Sequence, residues 1–175
     1  MANLFSVAEI VDIGIEKEKK RRDFYGAVAE RAIDPELTAL FRRLRDWEEE
    51  HVRTFGEIRA GVDERESVDS YPGEGREYME SLVADQLYQA LSPAAAKEIA
   101  SPREAIEMGI GFEKDAILFF RALADFLSAS QRTIVERLVR EEQGHLVSLS
   151  RLRETFPPRS FSSPPIPPPR RGSPK

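Results

Sequence analysis

The amino-acid sequence predicts an all-α protein, a four-helix bundle made of two antiparallel helix hairpins. Three observations predict it. The chain contains an internal repeat, both copies open with a helix-start signature, and apolar residues recur through both at alternating steps of three and four.

The repeat sets "SVAEIVDIGIEKEKKRRDFYGAVA" (6–29) above "SPREAIEMGIGFEKDAILFFRALA" (101–124). Ser6, Glu9, Gly14, Ile15, Glu18, Lys19, Phe24, Ala27 and Ala29 return at an offset of 95. Beyond a turn the match resumes at an offset of 94, with Leu44, Glu48, His51 and Arg59 answered by Leu138, Glu142, His145 and Arg153.

Each element has its own justification. The first helix is expected near 5–31, where Ser6-x-x-Glu9 forms a capping box. A turn at "IDPE" leads to the second, near 36–60. The third is expected near 102–128, behind Ser101-x-x-Glu104 and with Pro102 at a favourable first position. A turn at "SASQ" leads to the fourth, near 131–155. Residues 61–100 then form a long crossover with turn chemistry at "SYPGEG" and "LSP". It contains a short extra helix around 76–91, anchored by Tyr78, Leu82, Leu87 and Leu91.

Residues 1–156 are therefore expected to form one domain, made of hairpin 5–60, crossover 61–100 and hairpin 101–156. Residues 157–175, "PPRSFSSPPIPPPRRGSPK", hold eight of the twelve prolines and no acid, so they are expected to be a Pro-rich disordered tail.

The formal net charge is -5, and setting aside the tail's four basic residues leaves the folded part at -9. Such a surface proposes neither nucleic acid nor a membrane as partner. No apolar run approaches the roughly 20 residues that span a bilayer. The first twenty residues carry acids inside their apolar stretch and no basic leader, so the expected location is cytoplasmic. There is no cysteine, which excludes disulfides, thiolate zinc, iron–sulfur clusters and a cysteine nucleophile. Any metal must be held by oxygen and nitrogen.

The chain's two histidines, His51 in "WEEEH" and His145 in "EEQGH", each follow a glutamate by three residues, Glu48 and Glu142. Both pairs interrupt a buried seam. The second helix reads Leu37, Phe41, Leu44, Glu48, His51, Phe55, Ile58, and the fourth reads Val135, Leu138, Glu142, His145, Leu149, Leu152, Phe156. The third reads Ile106, Ile110, Glu113, Ile117, Phe120, Ala124, Leu127, and the first Val11, Ile15, Glu18, Arg22, Tyr25, Ala29. Every helix thus carries one carboxylate into the core at a similar depth. Unpaired buried charges cost several kcal/mol each. Two divalent cations would balance four carboxylates, with neutral imidazoles completing the shells. Carboxylates with imidazole suit iron or manganese.

At these residues the chain resembles the ferritin-like superfamily, and within it the rubrerythrin-like di-iron carboxylate proteins. "EKKRRDFY" and "EKDAILFF", each followed by Glu-x-x-His on the next helix, carry the resemblance over residues 4–156. It implies a ferritin-like bundle holding two Fe ions per chain, with Mn or a mixed pair as variants. Glu18 and Glu113 would be terminal ligands, Glu48 and Glu142 bridging ones, and His51 and His145 the nitrogen ligands. Tyr25 would be a tyrosine that hydrogen-bonds a ligand, or else an ordinary core aromatic. The implied activity is that of a non-haem di-iron oxidoreductase acting on H2O2 or O2, as a peroxide scavenger or a ferroxidase, and such proteins form homodimers. The alternative is a non-catalytic iron-binding or structural helical module.

Three departures from the family pattern bear on these expectations. The four-cysteine rubredoxin domain of rubrerythrins proper is missing, so electrons are expected from an external donor or from Fe(II) itself. The extra carboxylate on the third helix is replaced by Ala116. Arg22, on the seam, is a cation that would compete with metal unless its stem carries it outward.

Overall fold

In a computed structural model of the protein, residues 6–63, 75–83, 99 and 101–156 are described. Five helices make up these residues: α1 Val7–Arg31, α2 Pro35–Ala60, α3 Gly75–Val83, α4 Pro102–Ala124 and α5 Ala129–Thr155. The first two and the last two form antiparallel hairpins, and α1 meets α4 while α2 meets α5. The result is an all-helical bundle of two paired hairpins.

Capping sets the helix starts. The Ser6 hydroxyl accepts from the Glu9 amide at 3.1 Å while the Glu9 carboxylate accepts from the Ser6 amide at 2.7 Å. Asp34 caps α2 by accepting from the Leu37 amide at 2.8 Å, with Pro35 following it. Ser101 accepts from the Glu104 amide at 3.2 Å and opens α4. Ser128 and Gln131 form a second capping box, which starts α5 at Ala129 rather than 131. The "SASQ" segment is therefore the first turn of a helix. α4 correspondingly ends at Ala124, short of the expected 128.

The seams of α2 and α5 are buried from Leu37 to Ile58 and from Val135 to Leu152. That of α1 is displaced by one residue at two places and that of α4 at one. Gly14 and Arg21 face inward where Ile15 and Arg22 are expected, and Ala116 lies deeper than the expected Ile117, while Ile110 is buried as expected with Gly109 beside it. The inward row of α1 is Val7, Val11, Gly14, Glu18, Arg21, Tyr25 and Val28, a regular alternation of four and three. The glycines belong inside because neighbouring helices crowd them. A Cβ on Gly14 would lie 3.1 Å from the Phe119 ring of α4, and one on Gly109 would lie 3.2 Å from Leu149 of α5 and 3.4 Å from the Tyr25 ring of α1.

Of the expected crossover helix, residues 84–91 lie outside the described ones, with Leu87 among them. Leu91 and the Pro-rich segment 157–175 lie outside them as well. Within α3 the deeply buried anchor is Met79, with Leu82 partly buried beside it, whereas Tyr78 is 46% exposed. Met79 and Leu82 share the helix face turned to α4, and Tyr78 falls off it.

The apolar core is split in two. Val11, Phe55, Ile58, Phe119, Phe120 and Leu138 belong to one half, and Tyr25, Phe41, Leu44, Ile106, Phe112 and Leu149 to the other. On all four long helices the sequence places the buried ionisable groups between these halves. No helix among the described residues is long and apolar enough to cross a membrane.

Candidate metal centre

Glu18 on α1, Glu48 and His51 on α2, Glu113 on α4, and Glu142 and His145 on α5 all lie buried at that middle layer. They fall into two overlapping groups. Glu18, Glu48, His51 and Glu142 each offer a ligand atom within 4.8 Å of the others, and so do Glu48, Glu113, Glu142 and His145. Glu48 and Glu142 belong to both groups. The Glu-x-x-His step puts the two side chains of each pair on one helix face, a turn apart.

The two positions are built differently around this shared pair. At the Glu113 position, the Tyr25 hydroxyl donates to Glu113 Oε1 at 2.5 Å. His145 Nδ1 lies 2.9 Å from Glu142 Oε2 and 3.8 Å from Glu113 Oε2. Trp47 stacks on the His145 ring with centroids 4.5 Å apart and planes 10° from parallel. At the Glu18 position, His51 Nδ1 lies 3.2 Å from Glu142 Oε1 and 3.5 Å from Glu18 Oε2. The other nitrogen of that ring, Nε2, lies 3.1 Å from Glu141 Oε2. This outer carboxylate fixes the ring so that Nδ1 faces the site.

Arg21 stands in the Glu18 position. Its guanidinium bonds Glu18, reaches Glu48 Oε2 through Nε at 3.2 Å, and reaches Glu142 Oε1 through Nη2 at 3.2 Å. It is fully buried, with Cζ 5.8 Å from the centre of the Phe120 ring. Arg22, the expected intruder, turns outward to Asp23 and Glu49 with 30% of its side chain exposed. The competing cation is its neighbour.

These surroundings move the titrations apart. Burial pushes the Glu18 carboxyl up to about 8, with Arg21 pulling the other way. Burial, with Glu142 close by, also raises Glu113 well above the usual carboxylate range. Burial would raise Glu48 and Glu142 too, but Arg21 reverses it and holds both below that range, Glu142 well below. Burial disfavours the charged imidazole of His145, yet bonding to Glu113 and Glu142 lifts it to about 10. His51 behaves alike, raised well above its usual value by Glu142 and Glu141 against the cost of burial.

The donor set fits metal. Glu18 Oε2, Glu48 Oε1, His51 Nδ1 and Glu113 Oε2 are buried without a hydrogen-bond partner, although buried polar atoms are normally paired. All four are hard oxygen or imidazole donors, the chemistry that iron and manganese accept.

Arg21, Trp47 and Glu141 were not singled out from the sequence. A signal for each exists in the repeat. Arg21 answers to Ala116 at the offset of 95, and Trp47 answers to Glu141 at the offset of 94. Equivalent positions filled by unlike residues mark where the two halves diverge.

Fold and site together define a ferritin-like helical bundle with a buried carboxylate–histidine centre. The sequence profile of the Rubrerythrin family matches residues 9–153, and the chain belongs to that family. A Thermotoga maritima structure assigned to the ferritin-like di-iron carboxylate class superposes with a TM-score of 0.66 at 18% identity, covering 90% of this chain and 100% of that one. A DUF305 fragment from Deinococcus radiodurans superposes with a TM-score of 0.58 at 15% identity, covering 85% and 95%. At such identities the likeness is one of fold. No curated protein matches the chain.

Proposed function

We propose that this chain is a non-haem iron oxidoreductase that reacts Fe(II) with H2O2 or O2, as a peroxide scavenger or a ferroxidase. The observation that carries the reading is the pair of donor groups sharing Glu48 and Glu142, with buried ligand atoms left unpartnered. Iron bound there would supply the electrons for reducing the oxidant. Glu18, Glu48, His51 and Glu142 would hold one ion, and Glu48, Glu113, Glu142 and His145 the other.

The chain's own groups supply the rest. The Tyr25 hydroxyl orients Glu113 and offers a proton at the carboxylate edge. Glu141 fixes the His51 ring, and Trp47 covers His145. The apolar halves above and below keep bulk water away, which strengthens every charge interaction at the centre. An external donor would return the electrons, and Trp47, 39% exposed and stacked on His145, offers a route from the surface. A homodimer is part of the same proposal, and light scattering on the full chain checks it.

The test is anaerobic loading with Fe(II), followed by rapid mixing with H2O2 or with O2. Faster iron oxidation than in a Glu48→Ala/Glu142→Ala variant supports turnover at the centre. Equal rates defeat the enzymatic reading. A second reading, iron binding without turnover, draws on the three bonds from Arg21 to would-be ligands.

A further inference from the structure

We infer that Arg21 serves as a built-in cation at the Glu18/His51 position, so that the chain holds one divalent ion tightly, at Glu48, Glu113, Glu142 and His145. A second ion enters only where the guanidinium is displaced. This deepens the proposed function and rests on it, because it assumes that the centre takes metal.

The partition of the carboxylate oxygens carries the inference. Glu48 gives Oε2 to Arg21 and keeps Oε1 unpartnered. Glu142 gives Oε1 to Arg21, with His51 Nδ1 3.2 Å from that oxygen, and turns Oε2 to His145. Each shared carboxylate therefore has one oxygen on the guanidinium and the other off it, that of Glu142 beside His145 and that of Glu48 without a partner. Glu18 is bonded by Arg21, while Glu113 accepts at Oε1 from the neutral Tyr25 hydroxyl and keeps Oε2 unpartnered, 3.8 Å from His145 Nδ1.

The repeat shows that the asymmetry is built into the sequence. Ala116 stands where Arg21 would be on α4, and Phe120 stands where Tyr25 would be. The Glu113 position receives a hydroxyl, and the Glu18 position a guanidinium against an aromatic ring. Charge points the same way. Two divalent ions alone would balance four carboxylates, so a second ion beside Arg21 would bring one positive charge too many into a dry interior. A guanidinium also cannot be neutralised by losing its proton to make room.

The experiment uses the full chain, stripped by chelation and titrated with Mn(II). Bound ion is counted by equilibrium dialysis, and its environment is read by electron paramagnetic resonance. The wild type should take one ion per chain, with the signal of an isolated Mn(II). Arg21→Met, which keeps an apolar stem on Phe120, should take two and show an exchange-coupled signal. In the wild-type background, Glu113→Gln should weaken the tight ion by about tenfold or more, while Glu18→Gln leaves it in place. These two variants keep the test decisive if Arg21→Met does not fold.

Two ions of similar affinity in the wild type would overturn the role of Arg21 and leave the metal reading intact. One ion in Arg21→Met, or equal losses in Glu18→Gln and Glu113→Gln, would overturn it as well. No ion in wild type or in any variant would remove both the inference and the function beneath it.

Discussion

Tyr25 and Glu113 are joined across the bundle, from α1 to α4, by a hydroxyl-to-carboxylate hydrogen bond of 2.5 Å. Phe120 occupies the position that repeats Tyr25 and has no hydroxyl to offer Glu18. The two halves of the centre are therefore related in backbone and unlike in chemistry.

Replacing Tyr25 by Phe tests that bond. Both partners are fully buried, so the variant leaves Glu113 Oε1 unsatisfied. The cost of such an orphan is about 1–3 kcal/mol. In chelated protein this should lower Tm by about 2–4 °C for each kcal/mol lost. Unchanged Tm in chelated Tyr25→Phe would show that the bond contributes nothing.

The pH response of chelated protein follows from the raised titrations of Glu18, Glu113, His51 and His145. Glu18 rises from its ordinary 4.5 to about 8 on burial. His145 rises from 6.5 to about 10, held by Glu113 and Glu142 against the cost of burial. A group whose folded value is raised gives its full stabilisation below its unfolded value and loses it as pH climbs through the folded one. For Glu18 that loss runs from 4.5 to about 8 and for His145 from 6.5 to about 10. Glu48 and Glu142, which are lowered, act only at the acid side. Melting temperatures of chelated protein should fall between pH 6.5 and 9, while metal-loaded protein gains relative to it, since ligands bind metal deprotonated. A rise in chelated Tm across that window would refute the assignment.

How far the sequence disclosed this centre depends on the helix. On α2 and α5 the Glu and His interrupt long runs of Leu, Phe and Val at regular steps, so the inward face is unambiguous. On α1 two successive ambiguities arise. Gly14 and Ile15 are adjacent, and an aliphatic residue looks the better core candidate until the closeness of Phe119 is known. Residues 19–22 are all cations, "KKRR", so residue type cannot say which faces inward. The seven residues from Glu18 to Tyr25 admit a four-then-three count through Arg22 as well as a three-then-four count through Arg21, and only the packing of α1 selects Arg21. Glu141 escaped because a partly exposed glutamate beside Glu142 looks like a solvated neighbour, and its bond to His51 depends on how α2 and α5 pack.

Trp47 is the chain's single tryptophan, so its fluorescence reports one place. It stacks on His145 at 4.5 Å, and the two rings are nearly parallel. An ion bound at His145 changes the charge directly beside the indole, and Mn(II) or Fe(II) should quench its emission in step with binding at the Glu113 position. The half-point should coincide with the dialysis curve for the tight ion. Trp47→Phe should abolish the signal and keep the ion, since a phenyl ring can still cover the imidazole. Emission that stays constant through saturation would mean that His145 is not a ligand.

Away from the centre, α1 and α4 are also held by an ion pair that is itself nearly buried. Lys17 Nζ lies 3.2 Å from Asp115 Oδ2, with side-chain exposures of 6% and 8%, and 5.3 Å from the centre of the Phe119 ring. Desolvating two charges offsets most of their attraction, so the pair as a whole adds little, but a buried charge that loses a partner is costly. Lys17→Met should therefore destabilise the protein, by at most about 3–5 kcal/mol, the range for breaking a buried pair. Lys17→Met/Asp115→Leu should recover most of that loss, because two apolar side chains of similar size pack where the pair stood. Urea unfolding of the two variants and the wild type measures both effects, with equal m-values as the condition for comparing midpoints. A double variant no more stable than Lys17→Met would show that the pair is needed for the packing of α1 on α4, beyond satisfying its own charges.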